Sequence, residues 1–317
     1  SFSQYVPEWL QLHTQSDLTM TEHCVMDATG NIVVANDVLN GSNYDIVLTK
    51  YSPLGLLIWS KTFTTAGSGN NDYIKKLLID AAGNFVVIGN SGSNSYFTSR
   101  SVIVRYNSNG DELNSVVYSR AGNPYTSFVD VAIDAAGNLV AAGGVTDGIE
   151  TDSALVVKFN PALNTLWERT RKDTNYYNNM SYSVKLDPSG NSYIAGASGD
   201  NLTAMKIDAS GTNLWFRKFN VQSGYNFFFI RPMSYLDNSQ NFYVADFKQE
   251  ILNDDTSKTL LLKYNSSGAL QWSNTYNVTN SGLERAKNIY YDNSMFFIDV
   301  ESYNLHSVLK VDQNGQL

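Results

Sequence analysis

Short apolar runs separated by clusters of turn residues fill almost the whole chain, and none keeps a helical period of useful length. Ile74 to Ile79 and Phe85 to Ile88 are two such runs, with Asp80-Ala-Ala-Gly83-Asn84 between them. Runs of this length, bounded by Asp, Asn, Gly and Ser, predict strands joined by tight turns. In this part of the chain four strands are expected, over about 73–79, 84–90, 100–106 and 111–119.

The same arrangement then recurs. The pattern apolar-x-Asp-x-x-Gly-Asn-apolar stands at Asp27/Gly30, Asp80/Gly83, Asp134/Gly137 and Asp187/Gly190, with degraded copies at Asp237 and Asp292. The spacing is 50 to 55 residues throughout. In phase with it runs a second pattern: a basic residue, then an aromatic or apolar one, then glycine, then tryptophan. Its anchors are Lys50/Gly55/Trp59, Arg105/Gly110, Lys158/Trp167, Lys206/Gly211/Trp215, Lys263/Gly268/Trp272 and Lys310/Gly315. Leu163 replaces glycine in the third copy, and Asn114 replaces tryptophan in the second.

Each pattern has a local physical meaning. An aspartate followed by Gly-Asn makes a turn in which the carboxylate caps backbone N–H groups and glycine takes the positive-φ position. Asp27, Gly30, Asp80, Gly83, Asp134, Gly137, Asp187 and Gly190 are therefore read as structural turn residues. A tryptophan at one place in each outer strand reads as a wedge between neighbouring sheets, which assigns blade packing to Trp59, Trp167, Trp215 and Trp272.

Four antiparallel strands repeated six times describe an all-β fold, a six-bladed β-propeller forming a single domain over 1–317. The repeats cover approximately 20–64, 73–119, 127–171, 180–220, 227–277 and 285–317, the last completed by 7–13. Trp9 would then supply the missing outer-strand tryptophan, so that an N-terminal outer strand closes the sixth blade. A ring of seven or more blades, of which this chain holds a part, is the alternative.

Asp-Ala-Ala-Gly-Asn followed by a β run, then Lys-Tyr-x-x-x-Gly-x-x-x-Trp, resembles the bacterial SBBP-type β-propeller repeat and, more distantly, the NHL repeat. The likeness spans nearly the whole chain. It implies a secreted or surface-exposed protein with no common catalytic activity, located outside the cell or, alternatively, in the periplasm. The family name implies seven blades, one more than this chain supplies. Ile207-Asp208-Ala-Ser-Gly211-Thr-Asn-Leu-Trp215 is also similar to the tryptophan-docking turn of quinoprotein propellers, which have eight blades and a cofactor pocket with no counterpart in this sequence.

Composition narrows the partners. A net charge of −8 with only 16% charged residues offers no basic stripe for nucleic acid. No apolar run is long enough for a membrane-spanning helix. The single cysteine, Cys24, excludes an internal disulfide and lies in a strand-like segment where a buried, inert thiol is expected. His13, His23 and His306 share no metal-ligand spacing, and neither a metal nor a cofactor is expected. No catalytic motif is present, so the chain reads as non-enzymatic, a monomer or a module of a larger chain.

On a rigid scaffold, binding residues collect on variable loops. Tyr73, Tyr125, Tyr176, Tyr177 and Tyr225 stand in or beside the loops between repeats, among Asn, Arg and Ser. Amphipathic aromatics of this kind suit a protein partner, such as one of a surface or secretion assembly, or alternatively a glycan.

Overall fold

A computed structural model describes residues 23–65, 70–92, 99–120, 125–146, 153–173, 179–199, 201–220, 231–249, 257–278, 285–302 and 305–317. Among these residues every regular element is a strand, and none is a helix. The strands form six antiparallel sheets, five of four strands and one of three. These are the blades of a β-propeller fold.

In the first sheet β1 (His23–Met26), β2 (Ile32–Asn40), β3 (Asn43–Tyr51) and β4 (Leu57–Phe63) lie side by side in chain order. The second contains β5 (Asn71–Ile79), β6 (Phe85–Gly92), β7 (Arg100–Tyr106) and β8 (Glu112–Tyr118), close to the spans that periodicity predicts. The third is β9 (Tyr125–Ile133), β10 (Leu139–Thr146), β11 (Ser153–Phe159) and β12 (Thr165–Arg171). The fourth is β13 (Asn179–Leu186), β14 (Ser192–Ser198), β15 (Asn201–Ile207) and β16 (Asn213–Asn220). The fifth is β17 (Met233–Leu236), β18 (Phe242–Gln249), β19 (Ser257–Tyr264) and β20 (Leu270–Tyr276). The sixth has β21 (Arg285–Asp292), β22 (Met295–Ser302) and β23 (Leu305–Asp312). The proposed closing strand 7–13, with Trp9 and His13, lies outside the described residues.

The chain divides into two compact units, 1–128 and 129–317, with the boundary inside β9. Each unit has its own apolar packing. In the first, Val33, Ala35, Ile46 and Leu48 meet Ile74, Leu77, Phe85, Val87, Val102 and Val104. In the second, one cluster joins Tyr193, Leu202 and Trp215 to Phe242, Val244 and Leu262, and another joins Tyr243 and Leu261 to Phe296, Ile298 and Val311.

Burial follows strand position. β10 and β14 are buried at every residue, and their sequences run apolar and small without alternation. The fourth strands β4, β8 and β20 share an outward pattern in which only alternate residues are covered. Close packing also dictates some glycines. A Cβ on Gly196 would lie 2.3 Å from the Met180 carbonyl oxygen, beside the register shift between Ser181 and Ser183.

One expectation is corrected. Cys24 is exposed. In β1 it shares the outward phase with Met26, while His23 and Val25 take the more buried one.

Candidate functional site

Sequential antiparallel strands give each blade two ends. One carries the turns between first and second and between third and fourth strands. The other carries the second-to-third hairpins and the connections between blades.

At the first end, the Asp-x-x-Gly-Asn turns share one geometry. In the first blade the Gly30 N–H donates to the Asp27 carbonyl at 3.0 Å, and the Asp27 N–H donates to the Asn31 carbonyl at 2.9 Å. Gly30 has φ 82°, so this is a type I turn closed by a glycine bulge. The side chain completes it. Asp80 Oδ1 accepts the N–H groups of Ala82 and Asn84 at 2.9 and 2.8 Å, and Oδ2 accepts Asn84 Nδ2 at 2.9 Å. Asp27, Asp134 and Asp187 repeat this set on their own i+2 and i+4 residues.

The repeated base then neutralises the repeated acid. Lys50 sits 2.9 Å from Asp27, Arg105 2.6 Å from Asp80, Lys158 3.1 Å from Asp134 and Lys206 3.6 Å from Asp187, all with little exposure. Burial opposes the Asp80 and Asp134 carboxylates, but hydrogen bonds from Asn84 and Asn138, helped by Arg105 and Lys158, outweigh it and hold both below the usual range. At Asp27 burial is likewise outweighed by Asn31, Thr29 and Lys50. Within each of these four blades the base thus lies against an acid whose oxygens accept the N–H groups of its own turn.

The turn after the third strand repeats the device with residues that, Asp208 apart, sequence reasoning did not name. Asn107, Asn160, Asp208, Asn265 and Asp312 accept backbone N–H groups up to four residues on, and Ser52 does the same through its hydroxyl. A small polar residue stands two places after every repeated base, which was the available signal.

The tryptophans dock on this second turn of the following blade. The Trp59 indole N–H donates to Ser108 O at 3.3 Å, Trp167 to Ala209 O at 3.0 Å and Trp215 to Ser266 O at 3.1 Å. Each ring packs against the glycine of that turn, Gly110, Gly211 and Gly268, so closely that a Cβ there would lie within about 3 Å of it, while Trp272 meets Gly315. Two residues after the tryptophan, a donor fastens the same turn: Arg169 to Gly211 O, Arg217 to Gly268 O at 2.7 Å and Asn274 to Gly315 O at 2.8 Å.

Departures from the repeat are local. Asp237 keeps its cap with Gln240 at φ 61° in the glycine position. Asp292 does not, because Asn293 and Ser294, at φ 48° and 67°, make a two-residue turn that directly pairs Asp292 with Met295. Leu163 holds the glycine position of the third blade at φ 62°.

The other end is built differently. In the first unit, Tyr44 and Tyr73 face each other with ring centroids 5.5 Å apart and an interplanar angle of 33°, both half-buried. Asn71 Oδ1 accepts the Tyr44 N–H at 2.9 Å, and Asp37 Oδ1 accepts the Ile74 N–H at 2.7 Å. Buried Asp72 holds the base of the inter-blade loop through the Thr65 N–H and hydroxyl. Burial first, then Tyr44 and Asp37, pushes the Tyr73 phenol above its ordinary value. Asn40, Gly41 and Ser42 stand exposed in the adjoining hairpin. Tyr125 opens β9 and is half-buried. Tyr176, Tyr177 and Tyr225 lie outside the described residues. Tyr44, within the hairpin of β2 and β3, was not singled out from sequence.

Among the described residues, no group of three His, Cys, Asp or Glu is placed to hold a metal, and no helix is long and apolar enough to cross a membrane.

No protein-family model matches the chain, and no curated protein matches it in sequence. Solved structures do match. A protein from Lactobacillus plantarum is 15% identical over 90% of this chain and 80% of its own, with a TM-score of 0.57. A putative 6-phosphogluconolactonase from Bacteroides fragilis is 14% identical over 93% and 81%, TM-score 0.53. Prolyl oligopeptidase B from Galerina marginata is 10% identical over 96% of this chain but only 42% of its own, TM-score 0.54. At such identities the likeness establishes the β-propeller fold alone.

Proposed function

We propose that this chain is a non-enzymatic, secreted or surface-exposed β-propeller scaffold that binds another protein through the loop end of its blades. The asymmetry of the blades carries this reading. At the turn end, polar side chains are spent on the chain's own backbone and on neutralising one another. At the loop end, Tyr44 and Tyr73 form a half-buried aromatic pair, braced by Asn71, beside an exposed hairpin of small polar residues. Paired tyrosines on a rigid base contribute contact area at small entropic cost. Export rests on the resemblance to SBBP-type repeats, with the periplasm as the alternative compartment. Two of the fold's relatives are named as a lactonase and a peptidase, and those activities are theirs.

Quantitative affinity capture from the secreted fraction of the source cells tests the reading, using the parent chain, a Tyr44→Ala/Tyr73→Ala variant and a turn-end Thr29→Ala/Ser210→Ala variant. The same protein should be retained by the parent and the turn-end variant and lost by the loop-end variant. Retention by all three would overturn it.

The Tyr44–Tyr73 pair also favours a second reading, a carbohydrate-binding module that stacks a sugar on these two tyrosines. Glycan-array binding by the parent that the loop-end variant lacks would select it, and a blank array with the parent would reject it.

A further inference from the structure

The fourth strands repeat one pattern, and the third and fourth blades break it at positions that meet. Four residues after the tryptophan position, the other blades place an aromatic side chain: Phe63, Tyr118, Phe219 and Tyr276. Three of these are buried and Phe219 is half-buried. The third blade has Arg171 there, and it is exposed. One residue after the tryptophan position the other blades have Ser60, Ser115, Glu168 and Ser273, whereas the fourth has Phe216. The Arg171 guanidinium lies 3.4 Å from the centroid of the Phe216 ring. Blades that lack both residues still form their turns and dock their tryptophans, so neither residue is demanded by the repeat.

A third departure adjoins the pair. Lys218 stands where the other blades have Thr62, Val117, Thr170 and Thr275, on the same face of β16 as Phe216. It forms an ion pair with Asp173, whose Oδ2 also accepts the Ser198 hydroxyl at 3.5 Å. Two neighbouring arginines show what is unusual about Arg171. Arg169 and Arg217 stand 6.0 and 5.9 Å from their tryptophan rings and donate to the carbonyls of Gly211 and Gly268. Arg171 makes no hydrogen bond or ion pair among the described residues, so its planar set of donors remains for a ligand.

We infer that Arg171, held on Phe216 beside Lys218, binds a carboxylate of an acidic protein segment. A guanidinium already fixed against a ring gives up little further freedom when it grips a carboxylate through two parallel N–H···O bonds. Charge selects the ligand. Residues 165–173 and 213–220 hold five bases and two acids in a chain of net charge −8, so this surface attracts anions. The Asp173 carboxylate beside Lys218 opposes a dianionic phosphate or a dense polyanion more than it opposes a single carboxylate. A sugar acid fits less well, because sugars stack on open aromatic faces. Here the guanidinium covers the Phe216 ring, which otherwise packs on the core of Val156, Trp167 and Met205. The site lies wholly within the second unit and does not involve Tyr44 or Tyr73.

Fluorescence anisotropy of a labelled oligoglutamate peptide at low salt tests this, with oligogalacturonate as the sugar-acid competitor. The parent should bind the peptide, and oligogalacturonate should not displace it. Arg171→Gln should weaken binding about tenfold or more, the worth of one bidentate charged contact, with an unchanged circular dichroism spectrum. Arg171→Lys, which keeps the charge and loses the planar fork, should fall between the two. Arg100→Gln, at an exposed arginine of β7, and Tyr44→Ala/Tyr73→Ala should match the parent, which separates this site from net charge and from the tyrosine pair. A parent that ignores the peptide, or an Arg171→Gln variant that binds it undiminished, overturns the inference. So does Arg171-dependent binding of oligogalacturonate in place of the peptide.

Discussion

Gly268 and Gly190 have almost the same backbone, φ 77° and 78°, but different surroundings. A Cβ on Gly268 would lie 2.6 Å from Trp215 Cδ2 and 2.8 Å from Cγ. On Gly190 it would meet only Ala209 Cβ at 3.6 Å and Lys158 Nζ at 3.9 Å, ordinary contacts. Alanine at either position bears the left-handed backbone penalty of about 1–2 kcal/mol. At 268 it must also displace the indole, which loses its bond to Ser266 and its contacts with Tyr193 and Tyr264. Removing a packed tryptophan typically costs about 3–5 kcal/mol, which bounds the excess at 268. In the second unit that difference corresponds to a melting-temperature gap of roughly 10 °C between Gly268→Ala and Gly190→Ala. Thermal unfolding followed by tryptophan fluorescence reads it. The Trp215→Ala/Gly268→Ala double variant should be clearly less destabilised than the sum of its parts, because the clash has gone. Equal melting temperatures for the two glycine variants, or simple additivity in the double, would refute the docking account.

Breaking the Asp80–Arg105 pair with Asp80→Ala should cost about 3–5 kcal/mol, since a buried guanidinium loses its counter-charge. Asp80→Ala/Arg105→Met should recover much of that loss in denaturant titrations. The carboxylates of Asp27, Asp80 and Asp134 are held below their ordinary values in the fold, so the stability they contribute is complete above the unfolded value of about 3.9. It is lost as pH falls through the folded values, and urea midpoints should drop steeply below about pH 4 while staying flat from pH 5 to 7. Ser294→Gly should raise stability by about 0.5–1 kcal/mol, because it relieves a positive φ at an exposed turn that favours Asn-Gly, as a small rise in melting temperature would show.

Much of the fold was legible because the turn chemistry is so regular. Asp80-Ala-Ala-Gly83-Asn84 marks its hairpin by residue type alone, and the boundaries of β5 to β8 follow from the apolar runs beside it. Where chemistry varies, the signal disappears. The donor two residues after each tryptophan is Arg169, Arg217 or Asn274, so no single residue type betrays a role that all three perform. Cys24 fell on the wrong side because β1 is four residues long and apolar in both phases, which leaves its facing undetermined. Tyr73 could be named from its loop, but its partner Tyr44 belongs to another sheet, and their meeting is a product of packing between blades. Asn71, which fixes Tyr44, carries no sequence mark of that task.

The division of labour between the two blade ends is tested most directly by hydrogen exchange on the parent chain with and without a captured partner. Protection should increase at the hairpin around Asn40–Tyr44 and at the start of β5, and stay unchanged at the turns around Asp27, Asp80 and Asp187. New protection confined to those aspartate turns, with none around Tyr44 and Tyr73, would contradict the account.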